Sequence, residues 1–372
     1  MAAPRIVVVG GTGFYGRYLI ADVLAHSDAE VRVVARGPAQ PPFPDPRVEV
    51  VAADHTDVAA LARLVAGAAA VVHCAGPYQA MPGRGLPLGP ALAAINAGVP
   101  YVDLAEDGPF RRAVLDVATG ATAPVLTGAS VVPGLQVIAV AELAAGLDRV
   151  DEIRCAAAPD TRRHRGPAMF RAMLHGLGAP FDAPRGGRPT RVYGWSEPEW
   201  VRFPPPVGRR LVYQVYEMAD LAVLAELYGA GTISFKAGTE HAGLNRLLGW
   251  AAAARARTGK PRRAERFTPV VRGLSWLAGR VGNEAGGFLV EVRGARAERP
   301  VRCALGMTAA VGGGRMPSLL AGIAVTELLA GRLTAPGPVA LDAWLSPERA
   351  WAELAARGVA LWRDDGSGWQ PL

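Results

Sequence analysis

The segment Gly10-Gly11-Thr12-Gly13-Phe14-Tyr15-Gly16 satisfies a G-x-G-x-x-G pattern through Gly11, Gly13 and Gly16. Residues without side chains permit a tight turn and let backbone N–H groups approach a pyrophosphate, whose charge suits the positive end of a helix dipole. Here the pattern follows an apolar run, Ile6–Val9, and opens a helical stretch. In that context it reads as a dinucleotide site rather than a bare turn. Twenty residues beyond Gly16 stands Arg36, where a site for an unphosphorylated ribose carries Asp or Glu. A guanidinium there can grip a 2′-phosphate bidentately, so the expectation favours NADP(H) over NAD(H). Asp54 ends a third strand, either at the adenine edge or as a cap for the helix beginning near Asp57. Ala75-Gly76-Pro77 follows a fourth strand and would pass beneath a nicotinamide ribose. His73 and Cys74, just before it, read as packed strand residues.

Hydride transfer is cofactor chemistry, which leaves the chain to place a substrate and move one proton. The candidates for that task are Tyr101, Asp103 and Glu106 at a strand end, with Ser130 nearby. Each competes with an ordinary role in capping and loop hydrogen bonding. His175, Tyr213 and Asp220 are further candidates from the presumed substrate region. Only Lys236 and Lys260 are lysines, with Thr232 and Ala256 four residues before them. A Tyr-x-x-x-Lys mechanism is therefore excluded. Cys74, Cys155 and Cys303 form no Cys-x-x-Cys pair and no His/Cys cluster suggests a metal, so the expectation is a cytoplasmic, reducing setting without a metal site.

The elements that must position these residues alternate short β-branched runs with Ala/Leu-rich helices over the first 135 residues. Strands are expected at 5–9, 31–35, 48–51, 70–74, 100–103 and 124–127, and helices near 14–25, 57–66, 87–97 and 108–118. That is an α/β, Rossmann-type doubly wound parallel sheet. The division expected is 1–135 for the dinucleotide-binding domain, 136–310 for an α+β substrate domain and 311–372 for C-terminal helices returning to the first. In the second part, strands at 288–293 and 301–305 suit a hairpin, followed by helices at 316–331 and 347–357. The apolar stretch Ser318–Leu329 is too short to span a membrane.

The net charge of +7 comes from 40 Lys and Arg against 33 Asp and Glu among 372 residues. It is uneven: residues 1–150 carry 10 cations and 13 anions, and residues 151–300 carry 24 and 14. The run Arg255, Arg257, Lys260, Arg262, Arg263, Arg266 reads first as a solvated helix and loop. An anionic substrate, a carrier protein or a coenzyme A phosphate comes second, and nucleic acid last, because no recognition motif accompanies the charge. Trp195, Trp200, Phe203, Tyr213 and Tyr216 are core residues by default and a substrate pocket otherwise.

GGTGFYGRYL (10–19), VVHCAGPYQ (71–79), YVDLAED (101–107) and GASVVPGL (128–135) resemble, in order and spacing, the saccharopine-dehydrogenase-like oxidoreductases. FLVEVRG (288–294) and the stretch from Met307 through Leu333 to the 345–361 region are similar to that family's closing hairpin and helices. The resemblance implies a nicotinamide-dependent oxidoreductase acting on a C=N bond of a small metabolite; an anionic substrate, suited to the basic middle of the chain, and a homodimer through the second domain are further expectations. Trans-acting enoyl reduction of a carrier-bound or lipid-like substrate is the alternative within enzymes, and NADP sensing without catalysis the alternative outside them. By resemblance Gly10, Gly13, Gly16, Arg36, Ala75, Gly76 and Pro77 fall at cofactor positions, and Tyr101, Asp103 and Glu106 on the segment facing the cleft. Two departures stand out: Ser130 occupies a position commonly Asp, and the first domain has no Lys for the acid–base role used by saccharopine dehydrogenases. Both argue against a saccharopine activity as such.

Overall fold

Strand β1 (Arg5–Val9) is apolar on successive residues because both faces of its sheet are covered, and Ile6 to Val9 are almost fully buried. It lies at the centre of a parallel sheet in the computed structural model, which describes residues 3–37, 42–80, 83, 85–162, 167–258 and 268–372. Contacts divide the chain into two units, Met1–Leu135 with Arg315–Leu345, and Gln136–Gly314 with Ser346–Leu372.

In the first unit β1 runs into helix α1 (Phe14–His26), then β2 (Glu30–Ala35), β3 (Val48–Ala52), α2 (Val58–Val65) and β4 (Ala70–His73). Next come α3 (Gly89–Asn96), β5 (Tyr101–Asp103), α4 (Gly108–Val117), β6 (Pro124–Leu126) and a tight turn at Val131–Leu135. From later in the chain, α10 (Met316–Leu329) and the short strand β15 (Gly337–Pro338) complete it. The strand order β15-β6-β5-β4-β1-β2-β3 is wholly parallel, and the order reverses between β4 and β1. This is the doubly wound sheet expected, and ligands bind such sheets at the carboxyl ends of the strands beside the reversal. Helix α10 is apolar all round, with Leu319, Leu320, Ile323, Ala324 and Val325 buried. It packs on α1 closely enough that a Cβ at Gly322 would lie 2.1 Å from Asp22 Oδ2.

The second unit holds α5 (Gln136–Ala144), β7 (Arg149–Ala158), α6 (Pro167–Gly176), β8 (Pro180–Arg185), β9 (Arg188–Tyr193), β10 (Ser196–Arg202) and β11 (Arg209–Gln214). It continues with α7 (Ala219–Tyr228), β12 (Thr232–Ala237), α8 (Ala242–Thr258), α9 (Thr268–Val281), β13 (Gly286–Arg296) and β14 (Arg299–Ala309). It ends with α11 (Pro347–Ala356), β16 (Ala360–Asp364) and β17 (Gln370–Pro371). Eight strands form a mixed sheet, β10-β11-β12-β7-β13-β14-β16-β17, and β8 pairs with β9 alone. The expected hairpin is β13–β14, antiparallel over eleven residue pairs and turning at Ala297 and Glu298.

Helix α11, expected to return to the first domain, belongs instead to the second unit. Its Trp351 donates to Glu142 of α5, and Arg363 of β16 reaches the same carboxylate at 3.1 Å. Between residues 311 and 372 only Arg315–Leu345 joins the first unit.

Candidate active site

Three strand ends lie in one row across the parallel sheet, for Val9 of β1 is in register with His73 of β4, and His73 with Asp103 of β5. The loops that follow them carry most of the residues singled out by sequence.

After Val9 the chain turns at Gly10 with φ +81°, a conformation that only glycine adopts without strain. A Cβ at Gly10 would stand 2.7 Å from the backbone of Ala75, so the loop after β4 passes directly across the glycine turn. A Cβ at Gly16 would stand 2.6 Å from the Gly10 carbonyl oxygen. Gly13 is the N-cap of helix α1, which has no side-chain cap and no acidic residue in its first turn. An undecorated helix start cradled by glycines is what a pyrophosphate requires. Thr12, Phe14 and Tyr15 complete that turn, and Arg17 donates back to the Thr12 carbonyl at 3.3 Å.

Arg36 lies exposed just beyond β2 and makes no hydrogen bond or ion pair among the described residues. Asp54 is exposed as well, and its Oδ1 accepts from the Thr56 amide at 2.9 Å and the Thr56 hydroxyl at 2.8 Å. The cap of α2 is Asp57, not Asp54, because its Oδ1 accepts from Ala60 N at 2.9 Å. In the loop after β4, Gly76–Pro77 is a cis peptide.

Of the four residues expected to move a proton, three are buried and one keeps contact with solvent. Tyr101 is fully buried, its hydroxyl hydrogen-bonded to His73 Nδ1 at 3.1 Å, and burial together with the Asp103 carboxylate pushes its pKa well up. Asp103 is equally buried. Its Oδ1 accepts from Ala105 N at 2.9 Å, Gly128 N at 2.8 Å and Thr127 Oγ1 at 3.1 Å, which ties the end of β5 to the end of β6. Burial raises its pKa against those hydrogen bonds. Glu106 is partly exposed, and burial, with Asp107 as a secondary influence, lifts its carboxyl to about 7 despite a hydrogen bond with Gln79. Ser130 is buried in the turn after β6, where Leu135 N donates to its carbonyl at 2.9 Å.

Sequence reasoning passed over Tyr78 and Gln79, which bring the loop after β4 against the loop after β5. The Tyr78 hydroxyl donates to the His73 carbonyl at 2.7 Å, and its ring lies 5.0 Å from Phe110 of α4. His73 is the packed strand residue expected: enclosed by Tyr78, Tyr101 and Phe110, it has its pKa lowered to about 3, mainly by burial, and is neutral. The Cys74 thiol is pushed up by burial and is no nucleophile. The one signal for Gln79 was its place in VVHCAGPYQ.

In the second unit Asp220 is buried at the start of α7, accepting from Gln136 Nε2 at 3.0 Å, and burial raises its pKa to about 6. Tyr213 and Trp195 sit in a core cluster with Leu174, Leu177 and Leu211, which is the packing role expected. Tyr216 closes on Gly176, while His175 is exposed on α6. Trp200 and Phe203 line a cavity of about 870 Å³ on the eight-stranded sheet, together with Arg154, Glu199, Lys236 and Glu291. Those charges neutralise one another, since Glu199 pairs with both Arg154 and Lys236 and Arg154 also meets Glu291 at 3.2 Å. Of the basic run, Arg255 donates to the carbonyls of Leu174 and His175 at 2.8 and 3.2 Å and Arg257 is exposed. Lys260, Arg262, Arg263 and Arg266 lie outside the described residues. No group of three or more His, Cys, Asp or Glu able to hold a metal occurs among the described residues. No helix among them is long and apolar enough to cross a membrane.

Residues 10–126 match a family model described as NAD(P)H-binding. The chain has the fold of saccharopine dehydrogenase: the L-Glu-forming enzyme from Saccharomyces cerevisiae, in its apo form, superimposes with a TM-score of 0.68. The match is 14% identical and covers 97% of this chain and 99% of that one. Partial matches include uronate dehydrogenase from Agrobacterium tumefaciens, 26% identical over 29% of this chain and 42% of that one, with a TM-score of 0.25. Another is Pen from Bacillus thuringiensis, 18% identical over 32% and 45%, with a TM-score of 0.28. No curated protein matches the chain in sequence. The first unit is thus an NAD(P)-binding domain of Rossmann type, set in a saccharopine-dehydrogenase-like fold.

Proposed function

We propose that the protein is an NADP(H)-dependent oxidoreductase that transfers hydride to or from the carbon of a C=N bond in a small metabolite, with Glu106 as the proton-holding group. The glycine turn fits the cofactor's pyrophosphate, because the Cβ clashes at Gly10 and Gly16 mark a cradle that only bare backbone can make. Arg36, exposed beyond β2, has the charge and reach for a 2′-phosphate. A bound nicotinamide supplies or accepts the hydride.

The observation that carries the catalytic half is the Glu106 carboxyl at about 7, on the loop after β5 and in contact with the loop that crosses the glycine turn. A carboxylic acid half-protonated near neutrality can donate to a developing amine nitrogen or take its proton back. Tyr101 and Asp103 are enclosed, so we assign them to positioning. Asp103 fixes the Gly128 amide, and Tyr101 anchors neutral His73 beneath the loop that carries Gln79. The C=N assignment draws on the sequence resemblance and on the fold shared with an enzyme named for forming L-Glu. Without a lysine in the first unit, Glu106 stands where that acid–base chemistry lacks its usual group.

The test is NADPH oxidation monitored with paired amines and 2-oxo acids or aldehydes, for the wild type and Glu106→Gln. Turnover by the wild type that falls at least 100-fold in the variant, with NADPH affinity unchanged, supports the reading; general acid–base groups contribute roughly 10²–10⁴-fold. Equal turnover by both proteins removes Glu106 from the chemistry. Turnover only with an activated alkene replaces C=N by C=C reduction.

A further inference from the structure

Helices α8 and α9 of the second unit each leave large apolar side chains and cations exposed to solvent. From Ala242 to Gly282 the sequence holds nine cations and a single acid, Glu265, and neither helix contains an Asp or Glu. Their inner sides are accounted for: Leu248 and Ala252 of α8 and Val271 of α9 pack with Leu174 and Leu177 in one cluster. Their outer sides are not. Trp250 is 71% exposed, Leu247 51%, Val270 59% and Trp276 47%. Arg246, Trp250 and Arg257 follow one another at spacings of four and seven, on one side of α8. On α9 the Arg280 guanidinium lies 3.7 Å over the Trp276 ring.

Exposed tryptophan and large aliphatic side chains cost free energy in water unless something covers them. We propose that the outer side of α8 docks on an anionic phospholipid surface, Trp250 and Leu247 entering the headgroup boundary while Arg246 and Arg257 meet lipid phosphates. Tryptophan and aliphatic residues beside arginine, with acids excluded, are the composition of a helix that lies in a bilayer interface. A second copy of the chain meeting this face by two-fold symmetry would set cation against cation. A nucleic acid would satisfy the charge and leave Leu247 in water. The docking concerns the second unit and stands apart from the cofactor reading.

The test is co-sedimentation of the full chain with vesicles of phosphatidylcholine alone and of phosphatidylcholine mixed with phosphatidylglycerol, at low and high salt. Binding to the mixed vesicles only, weakened by salt, is the expected result. The pair Arg246→Gln and Arg257→Gln should lower that affinity roughly 25-fold, at about fivefold for each cation near the surface. The pair Leu247→Ser and Trp250→Ser should abolish it while the thermal midpoint and NADPH affinity stay unchanged, since both side chains point outward. Failure to bind anionic vesicles, or binding as tight as the wild type's by either double variant, overturns the proposal. So does a dimer that becomes a monomer on Trp250→Ser, which would assign the face to self-association.

Discussion

Replacing Glu106 by glutamine should make the protein more stable at high pH and leave it nearly unchanged at low pH. The Glu106 carboxyl moves from its ordinary 4.5 to about 7 in the folded chain, principally because burial disfavours the carboxylate. Its folded pKa is raised, so between those two values the native state binds more protons than the unfolded one. Stability therefore falls as pH rises from 4.5 through 7 and levels off above that. At 1.36 kcal/mol per pH unit the full penalty is about 3 kcal/mol, an upper figure because the side chain keeps some contact with water. Glutamine has nearly the same shape, carries no charge and can keep a hydrogen bond with Gln79. Urea unfolding of both proteins from pH 4.5 to 8.5 measures the difference at each pH. Asp103, whose pKa burial also raises, is common to both, and only its minor coupling to Glu106 enters the difference. The difference in unfolding free energy should grow by about 2–3 kcal/mol in favour of Glu106→Gln, with its midpoint between 5 and 7. A difference profile flat to within about 0.5 kcal/mol would show an ordinary carboxylate, and the proton-holding role would lose its physical basis.

Other substitutions probe the frame around that group. Gly16→Ala places a Cβ 2.6 Å from the Gly10 carbonyl oxygen and from Gly11 Cα, backbone atoms that cannot turn aside; a thermal melt should show a loss of about 1–3 kcal/mol, and a titration should show NADPH binding abolished. Gly322→Ala drives a Cβ onto Asp22 at the packing of α10 on α1 and should cost about 1–3 kcal/mol by urea unfolding, with the secondary structure retained by circular dichroism. His73 has its pKa lowered to about 3, so its neutral form contributes stability that is present above 6.5 and lost as pH falls towards 3. His73→Phe should flatten that acid limb in a pH series of melts, at a cost of about 1 kcal/mol from the lost hydrogen bond between His73 and Tyr101.

The parallel sheet was legible because its central strands are apolar on consecutive residues and alternate with Ala/Leu-rich helical stretches, a pattern that needs no knowledge of neighbours. Ile6–Val9 and Ala70–His73 are both buried along their whole length. The eight-stranded sheet was harder to read. Strand β10 has an exposed, charged pattern, and β7 pairs with β12 and β13 across long separations in sequence. Helix α11 was misplaced because its partners, Glu142 and the strand β16, lie far away in sequence or were not recognised as elements. At the site, glycines announce themselves by type. The roles of Asp103 and Glu106 depend on burial, and burial of a carboxylate three residues from another is decided by the loops folded over it. Nothing in YVDLAED says that Asp103 is enclosed by Thr127 and Gly128 while Glu106 keeps contact with solvent.

The central assignment is that the first unit grips a phosphorylated dinucleotide through the glycine turn and Arg36. Its most direct test is a fluorescence titration of NADPH and NADH against the wild type and Arg36→Ala. The wild type should bind NADPH more tightly than NADH. Losing a charge-assisted contact of about 1.5–3 kcal/mol should weaken NADPH roughly 10- to 100-fold in the variant and leave NADH almost unchanged. Equal affinities for the two dinucleotides, unaltered by the substitution, would contradict the assignment of Arg36, and no binding of either would contradict the site.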